Sequence, residues 1–173
     1  SLRVRAGATT CAVVGTTLSD LPAGPRHRID RRTRLVVRLE GGAPRSRSRA
    51  AVLAGENLLA VRGPEGWELL QFLEAEVVGP DAFALTGLLR GQGGSDVTEL
   101  VAAGAEVVLV DEALVRAEAS LAERGLPLIW RAAPAGGPPA GPAMRQAAAT
   151  WRGMALRPWS PAHLRARSVG GET

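Results

Sequence analysis

His27 and His163 are the two imidazoles available for general-base chemistry in this 173-residue chain. Nucleophilic catalysis needs such a base within hydrogen-bond reach of a hydroxyl or thiol. Ser160 lies close before His163, with Pro161 between them. Proline favours extended backbone, which sends side chains at i and i+3 to opposite faces. His163 therefore reads as a packed residue with one ring nitrogen satisfied. His27 sits among arginines, whose charge disfavours its protonated form.

Glu74 and Glu76 share one strand face about 7 Å apart, a spacing that suits glycosidase geometry on distance alone. Asp111 and Glu112 form a second acidic pair. No aromatic platform marks a sugar cleft beside Glu74 and Glu76, so a solvated edge or a subunit contact is the better reading. The stretch GQGGSD, Gly91–Asp96, lacks the lysine of a phosphate-binding loop, and the chain contains no Lys. It opens no clear helix whose N-terminus could hold an anion. It reads instead as a tight turn with positive φ at Gly93 or Gly94, pinned by hydrogen bonds from Arg90. Cys11 is the single cysteine, which excludes an internal disulfide and a cysteine-based metal site. Between Thr10 and Ala12, with Val13 and Val14 following, it is expected to be buried. These residues point to no catalytic group, no metal and no cofactor.

Charge is more informative as a distribution than as a sum. Arg26–Arg49 holds nine Arg against Asp30 and Glu40, a net of +7. Glu65–Glu123 holds twelve acids against Arg90 and Arg116, a net of −10. Arg124–Thr173 holds seven Arg against Glu172, a net of +6. Such blocks attract one another within a fold or between subunits, and the plainer reading is that they are solvated faces of a folded domain. Arg26–Arg49 is the best nucleic-acid candidate, and RSRSR at Arg45–Arg49 reads as a flexible basic arm. No aromatic residue is interleaved to stack on bases. Pairing between subunits is therefore favoured, with Arg26, Arg28, Arg31, Arg32 and Arg34 as the candidate interface.

The elements that must position these residues are strands. Turn signals recur roughly every 8–15 residues with apolar alternation between them. Thr33–Glu40 is a strand with Leu35, Val37 and Leu39 on one face. Ala50–Leu53 and Leu58–Arg62 are short strands. Trp67–Val78 and Ala82–Leu89 form a hairpin about Gly79-Pro80-Asp81, with Glu68, Glu74 and Glu76 marking the wet face. Ala105–Val110 is a buried strand. Asp111–Arg124 reads as a strand and a short helical turn ending at Gly125. Leu126–Ala132 and Ala147–Leu156 are further strands, and Pro158 and Pro161 enforce an extended passage into Ala162–Ser168. About ten strands exceed one flat sheet, so the expected fold is mainly β, barrel- or sandwich-like, with at most one or two short helices. Three parts are expected: residues 1–133, a Pro/Gly loop or linker at 134–142, and strands with an exit segment at 143–173. Aromatics make up only 3% with no Tyr, so the core must be built from Val, Leu and Ala. No apolar run approaches the roughly 20 residues of a membrane span. A chain that opens on SLRVRAGATT and stops at GGET reads as part of a longer polypeptide.

The order ENLLAVRGPEGWELLQFLEAEVVGPDAFALTGLLRGQGGSD, AGAEVVLVDEALV, GLPLIWRAAPAG and MALRPWSPAHLRARSVGG resembles the C-terminal region of the large "megatron" baseplate proteins of gene transfer agents and siphophage tails. The motif residues are Trp67, Glu68, Gln71, Phe72, Leu89, Arg90, Gly91, Gly93, Gly94, Pro158, Ser160, Pro161, His163 and Leu164. Ser95-Asp96 stands where the family pattern has Thr-Glu. The resemblance implies a hub domain that closes the distal tail end and anchors peripheral domains, assembled as a homotrimer with other hub, distal-tail and peptidase-like components. It would meet the host surface indirectly and nucleic acid only as a passing genome. It would be synthesised in the bacterial cytoplasm and end in the baseplate of an extracellular phage-like particle. Full-length relatives carry a glycosidase-like barrel domain outside this span, and a fibronectin-like module often follows SPAHLRA. The resemblance carries over no catalytic residue. The rival readings are a receptor- or glycan-binding module of the tail tip, for which Trp67, Trp130, Trp151 and Trp159 would have to cluster, or part of a cell-wall hydrolase.

Overall fold

A computed structural model describes residues 4, 6–26, 28–95, 99–135, 137 and 140–156. β2 (Leu35–Glu40) shows most plainly how alternation makes a strand. Leu35, Val37 and Leu39 are fully buried while Arg38 and Glu40 are exposed, as a period of two residues requires. It joins β1 (Val14–Thr17), β3 (Leu58–Gly63), β4 (Gly66–Gln71), β5 (Glu74–Gly79), β6 (Ala82–Thr86) and β7 (Glu106–Val110) in one antiparallel sheet. The strand order is β4-β3-β7-β1-β2-β6-β5. β8 (Pro127–Ala132) and β9 (Arg145–Thr150) pair separately as a hairpin across the Pro/Gly stretch. The protein is mainly β, as expected, with nine strands among the described residues rather than ten.

The sheet does not close as a barrel, yet its two edge strands are consecutive in the chain. Phe72-Leu73 alone separates β4 from β5, so the sheet must curl to bring both edges to that point. The seam is stitched by backbone hydrogen bonds. Gln71 and Leu89 exchange both N–H and C=O at 2.9 and 2.8 Å, and the Leu73 N–H donates to the Thr86 carbonyl at 3.0 Å. The curl encloses the core: Leu35, Val37, Leu59, Val61, Leu70, Phe72, Phe83, Leu85 and Val107, with Leu21, Leu88 and Val101 from the connections.

That curl explains several departures from the sequence reading. Trp67–Val78 is not one arm but β4 and β5; β4 pairs with β3, and β5 with β6. The face of β4 carrying Glu68 and Leu70, continued by Phe72 after the strand, is buried, not wet. β6 ends at Thr86, because Gly87 turns with φ +67°. Ala50–Leu53 lies in a helical turn, α1 (Arg49–Leu53), where the Ser48 Oγ accepts the Ala51 N–H at 3.2 Å. An N-cap serine before Arg-Ala-Ala favours helix over strand. Asp111–Arg124 holds no strand, only a 3-10 turn at Leu121–Glu123 with a Ser120/Glu123 capping box. β9 ends at Thr150, and Met154–Leu156 forms another 3-10 turn. Cys11 is exposed, since the chain enters the sheet only at Val14.

The RSRSR stretch is a strap rather than a flexible arm. The Arg47 N–H donates to the Leu73 carbonyl at 2.8 Å. The Ser46 Oγ accepts the Ala75 N–H at 3.1 Å and donates to the Ala75 carbonyl at 3.4 Å. The Asn57 amide donates to the carbonyls of Arg45 and Phe72 at 2.8 and 3.0 Å. The strap thus satisfies groups of edge strand β5 that would otherwise invite another chain.

Candidate interaction surfaces

The most tightly built polar group lies under the motif residues. Glu68, from the middle of β4, points into the core and meets Arg90 from the loop after β6. The Arg90 Nε donates to Glu68 Oε1 at 2.5 Å and its Nη2 to Oε2 at 2.7 Å. Both side chains are within 2% of full burial, so the charges survive only because the guanidinium fork matches both carboxylate oxygens. The Arg90 Nη1 donates to the Pro22 carbonyl at 2.9 Å, and the Gly91 N–H to Glu68 Oε1 at 3.3 Å. Arg90 thus pins a distant loop as well as its own.

Asp30 stands close by, 5% exposed. Its Oδ1 accepts the N–H groups of Arg32 and Thr33 at 2.9 and 3.3 Å. Burial pushes the Asp30 pKa up. The Thr33 side chain, the Arg32 and Thr33 backbone and the Arg90 charge together outweigh that and hold it below its ordinary value. This knot joins the β1–β2 connection, the β6–β7 connection and strand β4. Gln71 is likewise structural: its Nε2 donates to the carbonyls of Val52 and Glu56 at 2.5 and 2.7 Å. Phe72 and Leu89 are buried in the core.

The glycine-rich loop serves as a dock for the chain itself. Gly91, Gly93 and Gly94 all have positive φ. The Ser95 hydroxyl accepts the Leu69 N–H at 2.7 Å and donates to the Gln92 carbonyl at 2.7 Å, tying the loop to β4. A Cβ on Gly94 would come within 2.8 Å of the Met154 carbonyl oxygen. Beside this contact is an open cleft of about 840 Å³ lined in part by Trp67, Trp151 and Arg152. Trp67 is 39% exposed with the Arg62 guanidinium 5.4 Å over its ring. A second open cleft, about 610 Å³, is lined by Arg116, Ala117, Ala119, Trp130 and Trp151. Three of the tryptophans thus border two clefts that share Trp151; Trp159 lies outside the described residues.

Arg26, Arg28, Arg31, Arg32 and Arg34 are all exposed. Glu74 and Glu76 are exposed along β5, and the Thr86 hydroxyl donates to Glu74 Oε2 at 3.1 Å. Pro158, Ser160, Pro161, His163 and Leu164 lie outside the described residues, as does His27. Among the described residues no group of His, Cys, Asp and Glu could hold a metal ion, and no helix is long and apolar enough to cross a membrane. Sequence reasoning missed Asp30, Ser46, Asn57 and Met154. For Asn57 the sequence showed only the turn at Gly55-Glu56-Asn57, where it adopts φ +57°, and not the hydrogen bonds of its side chain.

One protein-family model matches the chain, described as Rcc01698-like, C-terminal, over residues 12–108. The match starts just before β1 and ends inside β7, so it spans the curled sheet with its seam and buried ion pair. No curated protein matches.

Proposed function

The chain belongs to the Rcc01698-like, C-terminal family, a gene-transfer-agent-related family, and from that premise we propose that it is a structural domain of a phage-like tail baseplate hub. In this reading it closes the distal tail end, anchors peripheral domains and carries out no catalysis itself. Its partners are further copies of itself, as a homotrimer, together with other hub, distal-tail and peptidase-like components. Its location is the baseplate of an extracellular particle made in the bacterial cytoplasm.

The observation that carries the reading is the family match across the curled sheet from β1 into β7. The interior supports it, because the most elaborate polar group, Glu68–Arg90, holds loops together and is sealed from solvent. Cryo-electron microscopy of tail-like particles from the producing strain tests it. Density for this domain repeated threefold about the tail axis at the distal end is the expected result. Its absence from every particle would remove the reading.

A second reading, glycan binding at the tail tip, is favoured by one observation: Trp130 and Trp151 share a cleft with Arg116. Aromatic faces beside a cation are common in ligand sites. Quenching of tryptophan fluorescence by surface glycans of the host, lost in Trp130→Ala, is the expected result for this alternative. Fluorescence that glycans leave unchanged removes it.

A further inference from the structure

The β8–β9 hairpin has two unlike faces. Leu128 and Trp130 on one face are half-buried. On the other, Pro127, Ile129 and Arg131 stand opposite Thr150, Ala148 and Gln146, and all six are exposed. Ile129 is 64% exposed at the centre of that face. An isolated two-stranded hairpin is marginal in water and gains stability when a face is covered.

Charge says what could cover it. Residues 124–156 carry Arg124, Arg131, Arg145 and Arg152 and no acid. The β5–β6 hairpin of the main sheet is the reverse: Glu74, Glu76 and Asp81 are exposed, and it contains no base. It also presents Val77 and Val78, 72% and 43% exposed. The open face of β8–β9 thus offers Ile129 beside the cation of Arg131, and β5 offers the carboxylates of Glu74 and Glu76 on a strand with exposed valines. Arg131 is held in place on the open face by its hydrogen bond to Gln146 Oε1, 3.0 Å; Arg145, paired with Ala132, belongs to the other face.

We propose that the open face of the β8–β9 hairpin packs against the acidic β5–β6 hairpin of a second copy of this chain. The two patches are different surfaces of one molecule, so the contact is head-to-tail, and repetition closes a ring or runs on as an open chain. The Ser46 strap already occupies the Ala75 backbone on β5. The contact is therefore made through side chains rather than by adding a strand. Because the charges lie at the rim, they set orientation and encounter rate and are weakened by salt. The inference deepens the self-assembly part of the proposed function and rests on it.

The test is analytical ultracentrifugation of the purified 173-residue chain and three variants: Glu74→Arg with Glu76→Arg, Arg131→Glu alone, and all three substitutions together. Every site is exposed, and circular dichroism checks that each variant keeps its strands. The wild type associates, either one-sided reversal raises the dissociation constant at least about tenfold, and the combined swap restores it. A wild-type chain that stays monomeric overturns the contact, as does association that survives both one-sided reversals. The tail reading is scored separately, by whether the domain is found in particles, so the two failures are distinguishable.

Discussion

Glu68 and Arg90 form a bidentate ion pair at 2.5 and 2.7 Å with almost no solvent access to either side chain. The pair closes the place where β4 leaves one edge of the curled sheet and the chain after β6 returns to it. Removing one partner leaves a buried charge without compensation, which costs about 3–5 kcal/mol. Glu68→Ala and Arg90→Ala are each expected to lower unfolding free energy by that order, and Glu68→Leu with Arg90→Met by clearly less than the sum. Urea denaturation of the four chains measures this. Additive losses in the double variant would mean that the two side chains act independently.

Asp30 gives this knot a pH dependence. Its folded pKa lies below the ordinary value of 3.8. Ionised Asp30 therefore contributes its stability in full above the unfolded pKa, and that contribution is lost as the pH falls through the lower folded value. Asp30→Asn keeps an acceptor for the Arg32 and Thr33 N–H groups but removes the charge beside Arg90. The variant should be less stable than wild type near neutral pH, with the deficit shrinking as the pH falls below about 3.8. A deficit of the same size at both ends of that range would show that the charge is irrelevant.

What the sequence made legible was whatever depends on near neighbours. The faces of β2 differ so sharply that alternation alone placed Leu35, Val37 and Leu39 inside. The turn at Gly79-Pro80-Asp81 declared itself by composition, and Asp81 adopts φ +52° there. Glu68 was misread because alternation assigns a carboxylate to water, while the guanidinium that makes burial tolerable lies 22 residues further on. The break at Phe72-Leu73 has no Gly or Pro to mark it. It is imposed by curling, which brings Leu89 against Gln71. The strap at Arg45–Ser48 was equally hidden, since serine-arginine repeats resemble a solvated tail until an edge strand needs their hydroxyls. Of the motif residues, Gly93 and Gly94 were explained by the turn, whose positive φ they adopt, while Trp67 and Arg90 could be located but not explained, because, Arg62 apart, their partners lie in distant segments.

Gly94 tests whether the glycine-rich loop acts as a dock. Its φ of +74° disfavours any side chain, and a Cβ there would sit 2.8 Å from the Met154 carbonyl. Gly94→Ala is expected to cost about 1–3 kcal/mol through backbone strain. The loss should fall locally, as faster amide hydrogen exchange in residues 150–156 with the core strands still protected. Exchange that accelerates evenly across the sheet would show instead that the loop supports the fold as a whole.

The arginine-rich segment before β2 supplies the test that reaches the particle. Arg31, Arg32 and Arg34 are exposed, and none is part of the buried core. Reversing them to glutamate should therefore leave the monomer folded, with a melting temperature near that of wild type, because surface substitutions usually change stability by about 0.5 kcal/mol or less. If this face meets acidic surface on neighbouring tail components, three reversals place like charges together across the interface, which costs several kcal/mol and blocks docking. The expected result is a folded variant that fails to enter tail particles, counted as particle yield from the producing strain. Normal yield with the variant incorporated would remove Arg31, Arg32 and Arg34 from the interface and leave the acidic β5–β6 hairpin as the charged surface still to be tested in assembly.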